Sequence, residues 1–231
     1  MKFGVVIFPG SNCDHDLIAV LEKLEDAEVV ELWHKDTDLK KCDFIFLPGG
    51  FSYGDYLRSG AIARYSPIMQ SITEFANKGG YVMGICNGFQ ILCEAGLLPG
   101  ALLRNTNLKF ICSNVFLKPA NNELLITQNI NKNAILKIPI AHGEGRFYAD
   151  DRTMKEILEN DQVLFYYCNE KGEIVDDANH NGSVNNIAGV CNSGKNVFGM
   201  MPHPERCADI LLFNTDGNII FESIIAQFTS V

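Results

Sequence analysis

Short apolar runs and helical patterns alternate along the first hundred residues. The run FGVVIF at 3–8 has no polar residue, as expected of a strand buried on both faces. Beyond it, apolar residues recur at intervals of three and four, which predicts an amphipathic helix from Asp14. The pattern predicts strands at 3–8, 28–32, 44–47 and 81–85, and helices from 14, over 66–77 with Ser66 as N-cap, and over 88–95. Such alternation predicts an α/β fold with a mainly parallel sheet.

The second half of the chain is less regular. We predict strands at 108–117, 123–127, 136–141, 163–168, 184–191 and 196–201, and a helix at 151–160. A last helix starts near 214–218 and carries an apolar stripe as far as Phe228. No repeat, low-complexity tract or linker interrupts the sequence. We therefore expect one domain over residues 1–231.

The composition is that of an ordinary globular protein, with 47% hydrophobic and 20% charged residues. The net charge of −9 disfavours binding to nucleic acid or to an anionic membrane surface. The longest uncharged stretch, 79–93, is too short and too polar to span a bilayer. None of the eight cysteines forms a C-x-x-C pair, and the N-terminal apolar run is too short for a signal peptide. We expect reduced thiols, no metal site and a cytoplasmic location.

The sharpest chemical signal is Cys86, in the sequence GICNG between a predicted strand and a predicted helix. This is the G-x-nucleophile-x-G elbow with cysteine in the serine position. The sharp turn presses its flanking residues together, so Gly84 and Gly88 must both be small. It also places the sulfur at a helix N-terminus, where the helix dipole favours the thiolate. A buried structural cysteine is the alternative, but the strand, the glycines and the helix together favour a nucleophile.

A cysteine nucleophile needs a base with an orienting partner, and two His-x-Glu sequences offer one. His203 and Glu205 lie in MPHPE, where each residue before a proline is driven into extended backbone. Residues two apart on an extended chain point to the same side, so this segment presents imidazole and carboxylate together. His142 and Glu144 are the alternative pair, but glycines leave their backbone loose. We favour His203 as the base and Glu205 as its partner.

A Gly49-Gly50 turn directly follows the predicted strand at 44–47. Ligands of open α/β sheets bind at the carboxyl edge of the strands, where such a turn leaves backbone N–H groups accessible. One of these N–H groups could join that of Asn87 in an oxyanion hole.

Together these residues resemble the class I (triad) glutamine amidotransferases. The shared features are Cys86 in GICNGFQ, the Gly49-Gly50 turn and the distal His203 and Glu205. Four longer segments are similar to the small, stand-alone glutaminase subunits of phosphoribosylformylglycinamidine synthase: FPGSNCD at 8–14, LPGGFSYGDYLRSG at 47–60, AHGEGRF at 141–147 and GMMPHPER at 199–206. The resemblance runs nearly end to end. It departs at 179–183, where the family usually has proline in the second place.

The resemblance implies a flavodoxin-like α/β fold and a glutaminase reaction. Cys86 would attack the side-chain amide of glutamine, His203 would carry the proton to the departing ammonia, and Glu205 would hold the imidazole. The N–H groups of Gly50 and Asn87 would stabilise the tetrahedral oxyanion, and water would release glutamate from the thioester. The glutamine-binding residues implied in the same way are Gln90, Phe51, His142 and Gly143.

The resemblance further implies that the ammonia is used on another chain. The sequence has no recognisable nucleotide-binding motif, and the near match to a phosphate loop at 189–196 has Asn196 in place of the hydroxyl residue. We expect no cofactor here. ATP and magnesium would bind to a large synthetase subunit that aminates formylglycinamide ribonucleotide, joined by a small third subunit in multi-subunit systems. Assembly of the site by these partners would leave the free subunit weakly active.

Two other functions stay open. A γ-glutamyl peptide hydrolase can use the same triad, but it would accept γ-amides longer than free glutamine. A non-catalytic interaction subunit would need none of the triad residues, and all three are present. The residues Arg58, Arg64 and Arg146 suit a pocket or an interface, and equally a solvated surface.

Overall fold

The structure, a computed structural model, describes residues 1–229. The chain forms two compact units: the first contains residues 1–98 and 196–199, and the second contains 99–195 and the residues from 200 onward. The single domain expected over 1–231 stays a prediction.

The described residues contain eleven strands and five α-helices. The strands are β1 (Lys2–Ile7), β2 (Glu28–Trp33), β3 (Phe44–Leu47), β4 (Tyr81–Ile85), β5 (Ala101–Leu103), β6 (Ile111–Pro119), β7 (Leu136–His142), β8 (Arg146–Tyr148), β9 (Val163–Cys168), β10 (Ile187–Cys191) and β11 (Val197–Met200). The helices are α1 (Asp14–Leu21), α2 (Pro67–Asn77), α3 (Asn87–Glu94), α4 (Asp151–Glu159) and α5 (Asn218–Thr229). None of these helices is both long enough and apolar enough to cross a membrane.

The first unit contains the parallel sheet that the sequence predicts. Its strands β2, β1, β3 and β4 lie side by side in that order and all pair in parallel, and β11 follows β4. The side chains of β3 and most of β1 and β4 are buried, in keeping with their uninterrupted apolar runs. The ring of Phe3 packs against those of Phe44 and Phe46. The α/β prediction is confirmed.

The parallel pairing brings several loops of this unit to one edge of the sheet. Because β1, β3 and β4 run in the same direction, their carboxyl ends meet there. The loop after β1 is tied to the loop after β3: the Phe51 N–H donates to the Gly10 carbonyl at 3.0 Å, and the Cys13 N–H to the Gly49 carbonyl at 3.4 Å. Cys86 directly follows β4 at this edge.

Helix α2 has the predicted bounds, and Ser66 is its N-cap residue as predicted. Ser66 precedes Pro67 as the N-cap residue, yet its hydroxyl makes no capping hydrogen bond. It lies instead 2.9 Å from the hydroxyl of Tyr53, which is also 2.6 Å from Nδ1 of His34. The serine hydroxyl therefore makes a contact with the half-buried Tyr53 instead of a hydrogen bond to the helix backbone.

The second unit supplies the additional strands. Its strands β10, β9, β6 and β7 lie in that order and pair antiparallel, while β5 and β8 form a separate antiparallel pair. Helix α5 starts at the predicted position and buries Ile220, Phe221 and Ile224. Neither β5 nor β8 was predicted, because three residues are too few to show a period.

The strand predicted at 123–127 was wrong. Leu124, Leu125 and Ile126 are buried, but the backbone turns there: the N–H groups of Thr127 and Gln128 both donate to the Leu124 carbonyl, at 2.8 and 2.7 Å. These residues are apolar because they fill the core, and a short apolar run does not distinguish a buried turn from a strand.

Two other predicted strands start too early. Leu108 has φ = 58°, a left-handed conformation that a strand excludes, and β6 begins only at Ile111. Residues 184–186 form a short 3₁₀ turn in which Asn185 has φ = 50°, so β10 begins at Ile187.

Candidate active site

Cys86 lies on a strained turn between β4 and α3. Its φ of 49° and ψ of −103° fall outside the regions that residues with a side chain ordinarily adopt. Such strain persists only where the surrounding structure enforces it, and it is concentrated at functional sites. The predicted strand–turn–helix elbow is confirmed, and the catalytic role of Cys86 stays a prediction.

Close backbone packing enforces this turn. A Cβ atom on Gly84 would overlap the backbone of Gly88, and a Cβ atom on Gly88 would overlap the carbonyl of Leu47 at the end of β3. The closely packed main chain of β3 and α3 cannot move aside for a methyl group. Both positions therefore require glycine, as the sequence predicts.

The loop of residues 50–57, here called the Gly50 loop, follows β3 on the same sheet edge. Gly50 has φ = 138° and forms a β-bridge with Ser11. A Cβ atom at Gly50 would lie 2.7 Å from the Ser11 Cα atom, so this position also needs glycine. Phe51, the next residue, is 46% exposed. Farther along, Tyr53 and Asp55 both have positive φ, at 54° and 53°.

The side chain of Asn87 connects this loop to α3. Its Oδ1 accepts a hydrogen bond from the Ser52 N–H at 3.1 Å. Its Nδ2 donates to Oδ1 of Asp55 at 3.2 Å and to Oε1 of Gln90 at 2.9 Å. Asn87 and Gln90, both candidates from the sequence, thus share one buried network. Sequence reasoning missed Ser52 and Asp55, because partners more than 30 residues apart leave no local pattern.

His203 and Glu205 form a buried pair in the second unit. Nδ1 of His203 lies 2.6 Å from Oε1 of Glu205, and the two side chains are 2% and 1% exposed. The His203 N–H donates to the Pro139 carbonyl at 2.8 Å, which anchors the segment to β7. The short helical turn Pro204–Cys207 then carries Glu205. The predicted pairing of these side chains is confirmed, and their catalytic role stays a prediction.

His142, the last residue of β7, has a different environment. It is 2% exposed, and neither ring nitrogen has a hydrogen-bond partner among residues 1–229. Burial, and to a smaller extent the nearby His203, lower the pKa of His142 to about 4. The ring is therefore neutral at neutral pH. A neutral ring without a carboxylate partner fits a pocket wall better than a base.

Two buried asparagines fix the backbone around His142. Nδ2 of Asn105 donates to the His142 carbonyl at 2.9 Å, and its Oδ1 accepts from the Gly145 N–H at 3.1 Å. Nδ2 of Asn181 donates to the Gly145 carbonyl at 2.9 Å. The glycine-flanked segment is therefore held in place, although the sequence suggested a loose backbone. Sequence reasoning missed Asn105, which is fully buried.

The loop at 179–183, where the family's usual proline is absent, is also well organised. Oδ1 of Asn179 accepts hydrogen bonds from the N–H groups of Gly182 and Ser183, each at 3.0 Å. This asparagine closes the turn without the proline, so the departure from the family pattern does not leave the loop unstructured.

Most of the other cysteines are poor nucleophiles. Burial raises the pKa of Cys42 and Cys168 to about 11 and that of Cys191 and Cys207 to about 12. Burial raises the pKa of Cys93 further still. Cys112 is the exposed member of the eight and makes a background for any thiol reagent.

The three arginines singled out in the sequence differ in their environments. Nη2 of Arg58 lies 2.7 Å from Oε2 of Glu94, in an ion pair with an exposed arginine side chain. Arg64 donates to the Glu94 carbonyl at 2.8 Å. Nε of Arg146 is buried and has no partner among the described residues. Arg58 and Arg64 therefore contact the end of α3, away from Cys86 at its start.

These features are typical of one class of protein, the glutamine amidotransferases. That class combines a parallel α/β sheet, a cysteine elbow, a Gly-Gly turn and a His–Glu pair. Comparison with known proteins agrees. Residues 1–219 match the family model of the CobB/CobQ-like glutamine amidotransferase domain.

Curated relatives narrow the family. The chain is 54% identical over 225 residues to phosphoribosylformylglycinamidine synthase subunit PurQ of Koribacter versatilis, covering 97% of both chains. It is 52% identical over 230 residues to the PurQ subunit of Salinibacter ruber, covering 100% of this chain and 98% of the relative. The structure of PurLQS from Thermotoga maritima includes a chain that is 42% identical, with a TM-score of 0.87 and 99% coverage of each chain. The chain therefore belongs to the PurQ family of glutaminase subunits of phosphoribosylformylglycinamidine synthase.

Proposed function

We propose that this chain hydrolyses glutamine and delivers the ammonia to a synthetase subunit. The synthetase uses ATP to convert formylglycinamide ribonucleotide to formylglycinamidine ribonucleotide in purine biosynthesis. The observation that carries the proposal is the strained elbow at Cys86, which two obligatory glycines enforce. Full-length similarity to curated PurQ subunits supports the choice of glutamine as the substrate.

The proposed reaction has two steps. The Cys86 sulfur attacks the side-chain amide carbon of glutamine, and the N–H groups of Gly50 and Asn87 stabilise the resulting oxyanion. His203, oriented by Glu205, takes the thiol proton and gives it to the departing ammonia. Water then adds to the thioester with His203 as the base, which releases glutamate and restores the thiol.

The proposed glutamine pocket uses Gln90, Phe51, His142 and Gly143. The neutral state of His142 supports this assignment, because a second cation near His203 would oppose the imidazolium that forms during the reaction. A neutral imidazole can also donate or accept a hydrogen bond to a polar substrate group.

We further propose that the chain docks on the synthetase subunit, and an exposed apolar segment at 210–213 supports this. Its four large apolar side chains are 55–98% exposed, with Phe213 the most exposed. The segment is nevertheless fixed: Asp209 accepts from the Leu211 N–H at 2.8 Å, and Asn214 donates to the Lys137 carbonyl at 2.6 Å. Ordered apolar patches on a surface mark protein–protein contacts. The related chain in the PurLQS structure supports the same partner.

The proposed function also has consequences for the cofactors, the subunits of the complex and the cellular location. ATP and magnesium bind to the synthetase and this chain carries no cofactor, while a small third subunit completes the complex. The cytoplasm suits the eight cysteines, all of which are free thiols.

A comparison of two nitrogen sources tests this function. The chain and its Cys86→Ser variant are each assembled with the synthetase and third subunit, and amidation is measured with glutamine or with ammonium. The proposal predicts that the variant complex loses glutamine-dependent amidation and keeps ammonium-dependent amidation. Glutamine-dependent activity that survives in the variant would contradict the proposal.

The same assay separates the rival functions. A wild-type complex that uses ammonium but never glutamine would identify a non-catalytic subunit. Faster hydrolysis of a γ-glutamyl dipeptide than of glutamine would identify a γ-glutamyl peptide hydrolase. Co-elution in gel filtration verifies that Cys86→Ser still docks.

A further inference from the structure

The Asn87 side chain lies where the two proposed oxyanion donors must be held together. Its amide accepts from the N–H of Ser52, which is two residues beyond Gly50, and it also donates to Asp55 in the same loop. Its own backbone N–H starts α3, directly after Cys86. We infer that the Asn87 side chain is a positioning residue that sets the distance between the two oxyanion N–H groups. The inference rests on the proposed function, which supplies those two groups as donors.

Only an asparagine side chain satisfies this environment. The N–H of Ser52 is a pure donor and faces Oδ1, while the Asp55 carboxylate is an acceptor and faces Nδ2. Rotating the amide by 180° would oppose donor to donor and acceptor to acceptor, so the assignment of its oxygen and nitrogen is fixed. Nδ2 also donates to Oε1 of Gln90, which uses its second hydrogen. Leucine would lose all three bonds, and aspartate would place two carboxylates together.

The Gly50 loop needs such an anchor. Tyr53, Asp55 and Leu57 all have positive φ, which disfavours this shape for any chain not held in it. The hydroxyl of Tyr53 ties one side of the loop to His34 and Ser66. The Asn87 amide ties the other side to the helix that carries the nucleophile.

The elbow of Cys86 does not depend on this amide. The elbow is fixed by close backbone packing, because a Cβ atom at Gly84 or Gly88 would overlap neighbouring main chain. Loss of the Asn87 side chain should therefore disturb the oxyanion hole and leave the nucleophile in place. This separation distinguishes positioning from a general structural role.

The test compares two reactions of the same thiol, in a Cys112→Ser background that removes the exposed competitor. Glutamine hydrolysis passes through an oxyanion, whereas alkylation of Cys86 by iodoacetamide is a displacement that forms none. In the assembled complex, Asn87→Leu should lower kcat for glutamine about 100-fold, the effect of losing one oxyanion donor. The rate of Cys86 alkylation should stay within about threefold of wild type, because the thiol and its base are unchanged.

Exchanging the asparagine and the aspartate between positions 87 and 55 gives a second test, which remains informative if the leucine variant folds poorly. Asn87→Asp alone should lower kcat to a similar extent, because its carboxylate faces that of Asp55. Adding Asp55→Asn restores a donor–acceptor pair with the roles reversed, and kcat should recover to within about tenfold of wild type. Failure of the second substitution to rescue would overturn the inference.

A matched control uses another buried asparagine of the same unit. Asn196 donates to the carbonyls of Ala76 and Gly80, at 2.8 and 2.7 Å. Asn196→Leu should change kcat by less than about twofold despite losing these bonds. If Asn87→Leu lowers kcat and the rate of Cys86 alkylation equally, or leaves kcat unchanged, the inference is overturned. The proposed function would stand in either case. A wild-type complex that does not hydrolyse glutamine would overturn the proposed function and the inference with it.

Discussion

The candidate residues of the first unit and those of the second unit are held in place by different means. Around Cys86 the backbone itself is close-packed: Gly84, Gly88 and Gly50 allow contacts that any side chain would block. Around His142, the buried Asn105 side chain holds the backbone through hydrogen bonds to distant backbone groups. His203 is oriented by the contact of its Nδ1 with the Glu205 carboxylate. The nucleophile is therefore held on its sharp turn by glycines that let the backbone pack closely. The histidines are held by specific polar side chains. Substitutions at glycines and at polar residues should separate the two cases.

The largest effect is expected at Glu205. Glu205→Gln keeps the shape but replaces the carboxylate that accepts from His203 Nδ1 across 2.6 Å. We expect kcat for glutamine to fall about 10³- to 10⁴-fold, as when a triad carboxylate becomes an amide. Steady-state hydrolysis in the assembled complex measures it. Glu144→Gln is the comparison, and a loss as severe there would transfer the base to the alternative pair.

The next effect concerns the glycine behind the nucleophile. Gly88→Ala places a methyl group on the Leu47 carbonyl, and we expect the free energy of unfolding to fall by about 3 kcal/mol. Urea denaturation measures the change. Gly96→Ala is the control: it has a positive φ of 71° but open space around it, so only its backbone strain of about 1 kcal/mol should appear. Equal losses would show that close packing does not fix the elbow.

The pH dependence of stability probes the second unit. His142 has its pKa lowered from 6.5 to about 4 in the folded chain, so below pH 6.5 the unfolded chain binds a proton that the folded chain does not. Stability is therefore lost as pH falls from 6.5 towards 4, by about 2 kcal/mol at pH 5. His142→Phe keeps a ring and removes this contribution. Denaturation at pH 7 and pH 5 measures the change in the free energy of unfolding for the wild type and for His142→Phe. An equal change in both proteins would contradict the burial of a neutral histidine.

The smallest effect is expected at Gly143. Its nearest neighbour for an added Cβ is a ring atom of Phe110 at 3.8 Å, an ordinary contact, and its φ is not positive. Gly143→Ala should change the free energy of unfolding by less than about 0.5 kcal/mol. A loss approaching that of Gly88→Ala would remove the contrast between the two units.

The same contrast explains what the sequence could predict. In the first unit the strands, their parallel direction and the elbow follow from local patterns, because apolar runs and glycines mark them within a few residues. In the second unit the pairing of His203 with Glu205 was predictable from the two prolines, again a local signal. The strand bounds near 108 and 184 were not, because left-handed residues such as Leu108 leave no trace in hydropathy.

The contacts that sequence reasoning missed share a physical cause. Asn87 was expected to act through its backbone N–H, but the structure gives its side chain three partners, two of them in another loop. Asn105 and Asn181 hold the backbone at 142–145 from positions about 40 residues away in sequence. Long-range polar contacts of this kind depend on the folded topology, which periodicity and motif spacing do not specify.

Labelling with an electrophilic glutamine analogue, followed by peptide mapping, tests the central claim most directly. The assembled complex in the Cys112→Ser background is treated with the analogue, with and without excess glutamine. The account predicts a single label on the peptide that contains Cys86, and protection of that peptide by glutamine. A label on another cysteine, or a label on Cys86 that glutamine does not block, would contradict a glutamine-specific nucleophile at the elbow.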